Sequence, residues 1–129
     1  EISAYLGKVA VKTAVRISAV AIFADTREGK TIKDMAAYRG YNLILAQCYL
    51  TSTMRQLALS YGVYASWQEK KSSVDDFLKI ALTDLTDKKF LTEEEVVVVL
   101  AGNFSGGSGF SFIEVGTVGY LRDRVDIVD

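Results

Sequence analysis

Seven consecutive residues, Asp25-Thr26-Arg27-Glu28-Gly29-Lys30-Thr31, place two hydroxyls, two cations and a glycine within reach of a single anion. An apolar run over residues 19–24 precedes them, and Ile32, Met35 and Ala36 follow at helical spacing, with Gly40 as a stop. Strand, glycine-containing turn and helix start, in that order, leave backbone N–H groups unpaired and aimed at one spot. The helix dipole and the side chains of Thr26, Lys30 and Thr31 then favour an anion there, phosphate above all. Two chemistries fit this stretch: a nucleotide P-loop and a regulatory phosphate site.

Residues 24–31 meet a loose P-loop pattern, with Ala24 where the first glycine usually stands. Three features oppose that chemistry. A loop with one glycine has little freedom to wrap phosphates. The fourth apolar run ends in Leu100-Ala101-Gly102-Asn103, without the aspartate that would hold Mg²⁺. Glu28 would also stand beside the phosphates, and at ~4 Å and an effective dielectric of ~20 each like-charge contact opposes binding by roughly 4 kcal/mol. A second loop, Asn103-Phe104-Ser105-Gly106-Gly107-Ser108-Gly109, leaves the end of that fourth run. Ligands of open parallel sheets bind at the carboxyl ends of strands where the strand order reverses, and glycines there let backbone N–H groups come close.

The elements that must position these loops follow from periodicity. Leu6, Val9, Ala10, Thr13 and Ile17 predict a helix over residues 3–17, with Lys8, Lys12 and Arg16 on one solvated face. Residues 20–24 lack alternation, as expected of a strand buried on both faces of a parallel sheet. Residues 42–48 make a second strand. Thr51 or Ser52 caps the next helix, which turns Met54, Leu57, Ala58 and Tyr61 inward and ends at Gly62. Residues 63–67 form a third strand into which Trp67 packs. Ser73 and Asp76 approximate a capping box for a helix whose stripe is Val74, Phe77, Leu78, Ala81, Leu82 and Leu85, with Lys88 and Lys89 at its end. Residues 96–100 and 112–118 are the fourth and fifth strands, and the tail from Tyr120 to Asp129 alternates charged and apolar residues as a loose segment or edge extension.

Alternating strands and helices mean right-handed βαβ units. The expected fold is a three-layer α/β/α sandwich on a five-stranded, mostly parallel sheet of order 3-2-1-4-5. Strand five, reached without a helix, runs antiparallel. The 129 residues fit a single domain, 1–129, able to bury roughly two-thirds of its unfolded surface. A chain that starts at Glu1 rather than Met reads as a fragment of something longer.

Composition narrows the functions. Net charge is −1, so no nucleic-acid partner is expected. No apolar run approaches the ~20 residues of a membrane helix, so no membrane partner is expected either. Without histidine, Ser-His and Cys-His catalysis and Cys/His metal clusters are excluded within the chain. The single cysteine, Cys48, reads as buried packing and makes a reducing, cytoplasmic setting the default.

Four segments in register resemble the C-terminal domain of pyruvate kinase. The family pattern close to "AIVVxTxSGRTARxxSxYRP" stands here as residues 21–31 followed by Tyr38-Arg39-Gly40. Met54-Arg55-Gln56-Leu57-Ala58-Leu59-Ser60-Tyr61-Gly62-Val63-Tyr64 resembles "ARQLALxxGVYP". Residues 96–102 with Gly106-Gly107-Ser108-Gly109-Phe110 resemble "VVVTAG…PGSGxT". The similarity runs over residues 4–118. It implies a glycolytic phosphotransferase whose catalytic centre, with Mg²⁺, K⁺, ADP and phosphoenolpyruvate, lies in other domains of the same chain. It implies no cofactor in this domain, which alone would not be catalytic, and subunit contacts in a homotetramer.

In many members this domain also holds an allosteric effector, such as fructose 1,6-bisphosphate. The resemblance assigns one phosphate to Thr26, Arg27, Glu28, Gly29, Lys30 and Thr31, and closure over the ligand to Gly106, Gly107, Ser108 and Gly109. The chain departs from the pattern at Glu28, where the family has serine. It also has Lys70 and Phe77 where bisphosphate-binding members have tryptophan and arginine. Fructose 1,6-bisphosphate is therefore not expected to bind well; a sugar monophosphate or nucleoside monophosphate, or no effector, is expected. The remaining alternatives are a free-standing phosphometabolite-binding module of the same fold and a small P-loop NTPase.

Overall fold

The computed structural model describes residues 2–26, 32, 33, 35, 43–58, 62–67, 74–102 and 111–124. Helix α1 (Ile2–Arg16) leads into β1 (Ala21–Thr26), and β2 (Leu43–Cys48) is followed by α2 (Thr51–Ala58) and β3 (Val63–Trp67). Then come α3 (Val74–Asp87), β4 (Val96–Gly102), β5 (Ser111–Thr117) and α4 (Val118–Asp123). The sheet order is β3-β2-β1-β4-β5, with β1 parallel to β2 and β4, β2 parallel to β3, and β4 antiparallel to β5. This is the architecture expected from the alternating pattern.

The continuous apolar runs mark strands covered on both sides. All six residues of β1 are buried. Alternate residues then feed two separate cores. Ile22, Ala24, Ile44, Ala46, Val98 and Leu100 pack with Ala10, Val11 and Ala14 of α1 and Leu57 of α2. Ile32 and Met35, both helical, join the same layer. On the opposite face Phe23, Leu45, Val97 and Val99 meet Phe77, Leu78, Ala81, Leu82 and Leu85 of α3. The Phe23 and Phe77 rings lie 5.2 Å apart at 52°, a tilted aromatic pair.

Both long helices end without glycine. In α1, Ala19 N–H donates to Ala14 O and Ser18 N–H to Val15 O, with Ser18 at φ 56°. In α3, Phe90 N–H donates to Leu85 O and Lys89 N–H to Thr86 O, with Lys89 at φ 62°. These paired bonds define the Schellman stop, in which a left-handed residue lets the chain reverse over the last carbonyls. Lys88, expected as a dipole partner, bonds Asp84 one turn earlier at 3.2 Å. Gly62, expected to end the preceding helix, sits at φ 79° before β3, and its carbonyl accepts from Ile44 N–H; residues 59–61 lie outside the described residues.

Three expectations are corrected. Leu50, rather than Thr51 or Ser52, precedes α2, because Met54 N–H donates to Leu50 O and the two hydroxyl residues are already helical. Residues 118–123 are neither strand nor edge extension, and residues 125–129 of the tail lie outside the described residues. Thr117 accepts from Tyr120 N–H at 3.2 Å and caps α4, whose Val118 and Leu121 are buried one turn apart. That cap and the three-residue apolar step outweigh the alternation read along the tail. Trp67, expected to pack in its strand, is 43% exposed at the open end of β3, the sheet's edge strand.

Candidate site at the carboxyl edge of the sheet

The sheet reverses direction of growth between β1 and β4, and the carboxyl ends of these strands carry the two glycine-containing loops of the sequence. Here the strand reading changes. Asp25 and Thr26 are not loop residues; they are the last two residues of β1, in register with Gln47 and Cys48 of β2. The pairing pulls them out of the turn because β2 extends equally far. Tyr49, just past β2, then donates its backbone N–H to Thr26 O at 3.2 Å.

Alternation sends the edge residues to two sides. Thr26 and Cys48 turn toward the α1 and α2 layer, where both are buried. Burial pushes the Cys48 thiol up to about 11, so it stays protonated and is no nucleophile at neutral pH, as its packing role requires. Asp25 and Gln47 turn toward the α3 layer and are 1% and 0% exposed. The Tyr49 hydroxyl donates to Asp25 Oδ2 at 2.7 Å. Among the described residues no partner serves Asp25 Oδ1 or either Gln47 amide atom. Burial outweighs the Tyr49 hydrogen bond and raises the Asp25 carboxyl to about 6. The Tyr49 phenol is held above its ordinary range by its own burial and by the charge of Asp25.

Of the residues assigned to phosphate from the sequence, Thr26 is the one described, and it stands where β1 delivers the first loop. Arg27, Gly29, Lys30 and Thr31, with Gly106, Gly107, Ser108 and Gly109, lie outside the described residues, as do Glu28 and Lys70. Phe77 is a core residue against Phe23 rather than a ligand contact. Asp25, Gln47 and Tyr49 were not singled out by the sequence reading for any role together. The signal for two of them was present: Asp25 and Gln47 each interrupt an apolar strand at a position whose i−2 neighbour, Phe23 or Leu45, is core.

A second cluster of charged residues lies around α4. Arg124 bonds Asp75 at the start of α3 at 2.7 Å and also Glu114 of β5, and its guanidinium lies 6.0 Å from the Tyr120 ring. Arg122 pairs with Glu93 and Asp123. These pairs tie α4 to its neighbours, and each arginine has its carboxylates in place. No group of described His, Cys, Asp and Glu residues could hold a metal ion, and no described helix is long and apolar enough to cross a membrane.

Residues 6–115 match the model of the family "Pyruvate kinase, alpha/beta domain". The chain is similar to curated pyruvate kinases. That of Sporosarcina psychrophila is 28% identical over 120 residues, covering 92% of this chain and 20% of the relative. That of Borreliella burgdorferi is 28% identical over 117 residues, covering 88% and 24%. That of Staphylococcus haemolyticus is 29% identical over 104 residues, covering 81% and 18%. With the family model spanning most of its length, the chain belongs to the pyruvate kinase alpha/beta-domain family. It spans about a fifth to a quarter of the length of these relatives.

Proposed function

We propose that the chain is the regulatory and oligomerisation domain of a cytoplasmic pyruvate kinase. In this reading the intact protein transfers the phosphoryl group of phosphoenolpyruvate to ADP. Its Mg²⁺ and K⁺ belong to domains outside these 129 residues, and the protein assembles as a homotetramer. The match over residues 6–115 carries the reading, and the sheet order agrees with it.

The site attached to this function is a phosphorylated-metabolite site at the carboxyl edge of β1 and β4. Its support is topological: Thr26 ends the central strand, and the loops that leave β1 and β4 start from neighbouring parallel strands at the switch point. Lys30 and Thr31 supply the anion contacts, whereas Glu28 opposes them. An assay of phosphoenolpyruvate-dependent ADP phosphorylation by the intact protein tests the parent activity, and absence of turnover refutes it. In calorimetry, fructose 1,6-bisphosphate should show no micromolar binding. Glu28→Ser should tighten inorganic phosphate binding by roughly tenfold, about 1.4 kcal/mol. An unchanged affinity would mean that Glu28 does not face the anion.

A further inference from the structure

Helix α1 carries three cations and no carboxylate over Ile2–Arg16. Lys8, Lys12 and Arg16 are four residues apart, so they stand in a row on one face, ~6 Å per step. All three are exposed, while Ala10, Val11 and Ala14 of the same helix pack into the core. A groove runs along this flank, lined among the described residues by Lys8, Val11, Lys12, Val15 and Arg16. Its floor is aliphatic: Val11 is buried, Val15 is left 57% exposed, and Ile17 lies just beyond at 41%.

Where the molecule uses cations to hold its elements together, at Lys88, Arg122 and Arg124, carboxylates stand beside them. Among the described residues no carboxylate pairs with Lys12 or Arg16. Like charges at i, i+4 oppose helix formation, and a chain of net charge −1 does not crowd cations by composition alone. The row therefore fits a partner that brings the carboxylates. A facing helix with acidic residues at i, i+4 and i+8 repeats at the same ~6 Å step and meets the three cations in register. An extended strand, at ~6.7 Å per two residues, drifts out of step. Aliphatic residues beside those acids then pack on Val15, as an amphipathic helix does in an apolar groove. Nucleic acid fits less well, because three cations neutralise few phosphates and the exposed Val15 and Ile17 gain nothing from a phosphate backbone. We propose that the outer face of α1 docks an acidic amphipathic helix of a partner protein. The proposal is independent of the phosphate reading at the carboxyl edge.

The test is fluorescence anisotropy on the full chain with a labelled synthetic helix carrying Glu at i, i+4 and i+8 beside leucines, and with its Gln counterpart. The Glu peptide should bind with a dissociation constant on the order of 100 μM in low salt and weaken about tenfold at ~0.5 M salt. It should bind about tenfold more tightly than the Gln peptide, the scale of three exposed ion pairs. Lys12→Glu combined with Arg16→Glu, both at exposed positions, should abolish that preference and transfer it to a Lys counterpart of the peptide. Val15→Ser should weaken the Glu peptide about threefold through lost apolar contact. Equal binding of the Glu and Gln peptides by the unaltered chain, or no binding of either, overturns the proposal whether or not the variants fold. Unchanged binding by the folded double variant overturns the placement on α1. A short DNA duplex that binds as tightly as the Glu peptide overturns the acidic helix in favour of a general polyanion surface.

Discussion

Burial lifts the Asp25 carboxyl to about 6 even though the Tyr49 hydroxyl donates to it, and that balance sets a pH dependence. The folded state holds this proton more tightly than the unfolded chain, whose carboxyl titrates near 3.8. The contribution to stability is therefore fully present below about pH 4 and is lost as pH rises through about 6, by about 3 kcal/mol in all. Asp25→Asn removes the titration while keeping an acceptor for Tyr49. Urea unfolding of both proteins should show the variant gaining on the parent between pH 4 and 7.5, with the difference levelling off above pH 7. A pH-independent difference would mean that the carboxyl is not raised. From the sequence, Asp25 looked like the first residue of an anion loop. The register with Gln47 made it a buried strand residue, and a register is a relation between two segments that neither segment contains alone.

At the scale of elements, the helix stops show how local signals fare. The turn at Gly62 before β3 was legible because glycine is the residue that adopts positive φ at little cost. Ser18 and Lys89 were not legible, because serine and lysine enter the left-handed region only where the surrounding packing holds them. In α3 the stop is held by Leu85 and Leu91, both buried, while Phe90 between Lys89 and Leu91 stays exposed. Lys89→Gly should therefore stabilise the fold by up to about 1 kcal/mol, the relief of left-handed strain less the added freedom of the unfolded chain. Thermal unfolding would register this as a rise in Tm, and a fall would show that the lysine stem contributes more than its backbone costs. Helix α4 was missed for a related reason: its cap, Thr117, is also the last residue of β5, so two elements share one residue. Gly116, one step earlier, admits the returning helix, since a Cβ there would stand 3.0 Å from Leu121 Cγ.

For the whole molecule, stability depends on one sheet serving two cores, and Phe23 with Phe77 joins the α3 layer to the central strand. Phe77→Ala should cost about 3–5 kcal/mol, from lost apolar burial and the cavity left behind. Against a typical total of about 5–15 kcal/mol, that places the variant near the edge of folding. Denaturant titration should show a lower midpoint; an unchanged midpoint would mean that α3 is not anchored through this pair. The same placement explains why position 77 gives the proposed effector site no cation. A side chain in the middle of the α3 stripe belongs to the core, and the carboxyl edge must draw its ligand contacts from residues nearer the strand ends.

The sequence by itself determined the layer order, the strand directions and the family. These depend on periodicity along the chain, on strands too apolar to face water, and on the rule that parallel strands need crossover helices. Tertiary structure alone decided which polar residues meet. Thr26 stayed at the expected edge, but Asp25, Gln47 and Tyr49 came together from segments more than twenty residues apart, once strand pairing brought two strand ends level and alternation turned two side chains to one face. Short-range pattern carries burial; only the register across strands carries juxtaposition, and the contact of Tyr49 with Asp25 depends on juxtaposition.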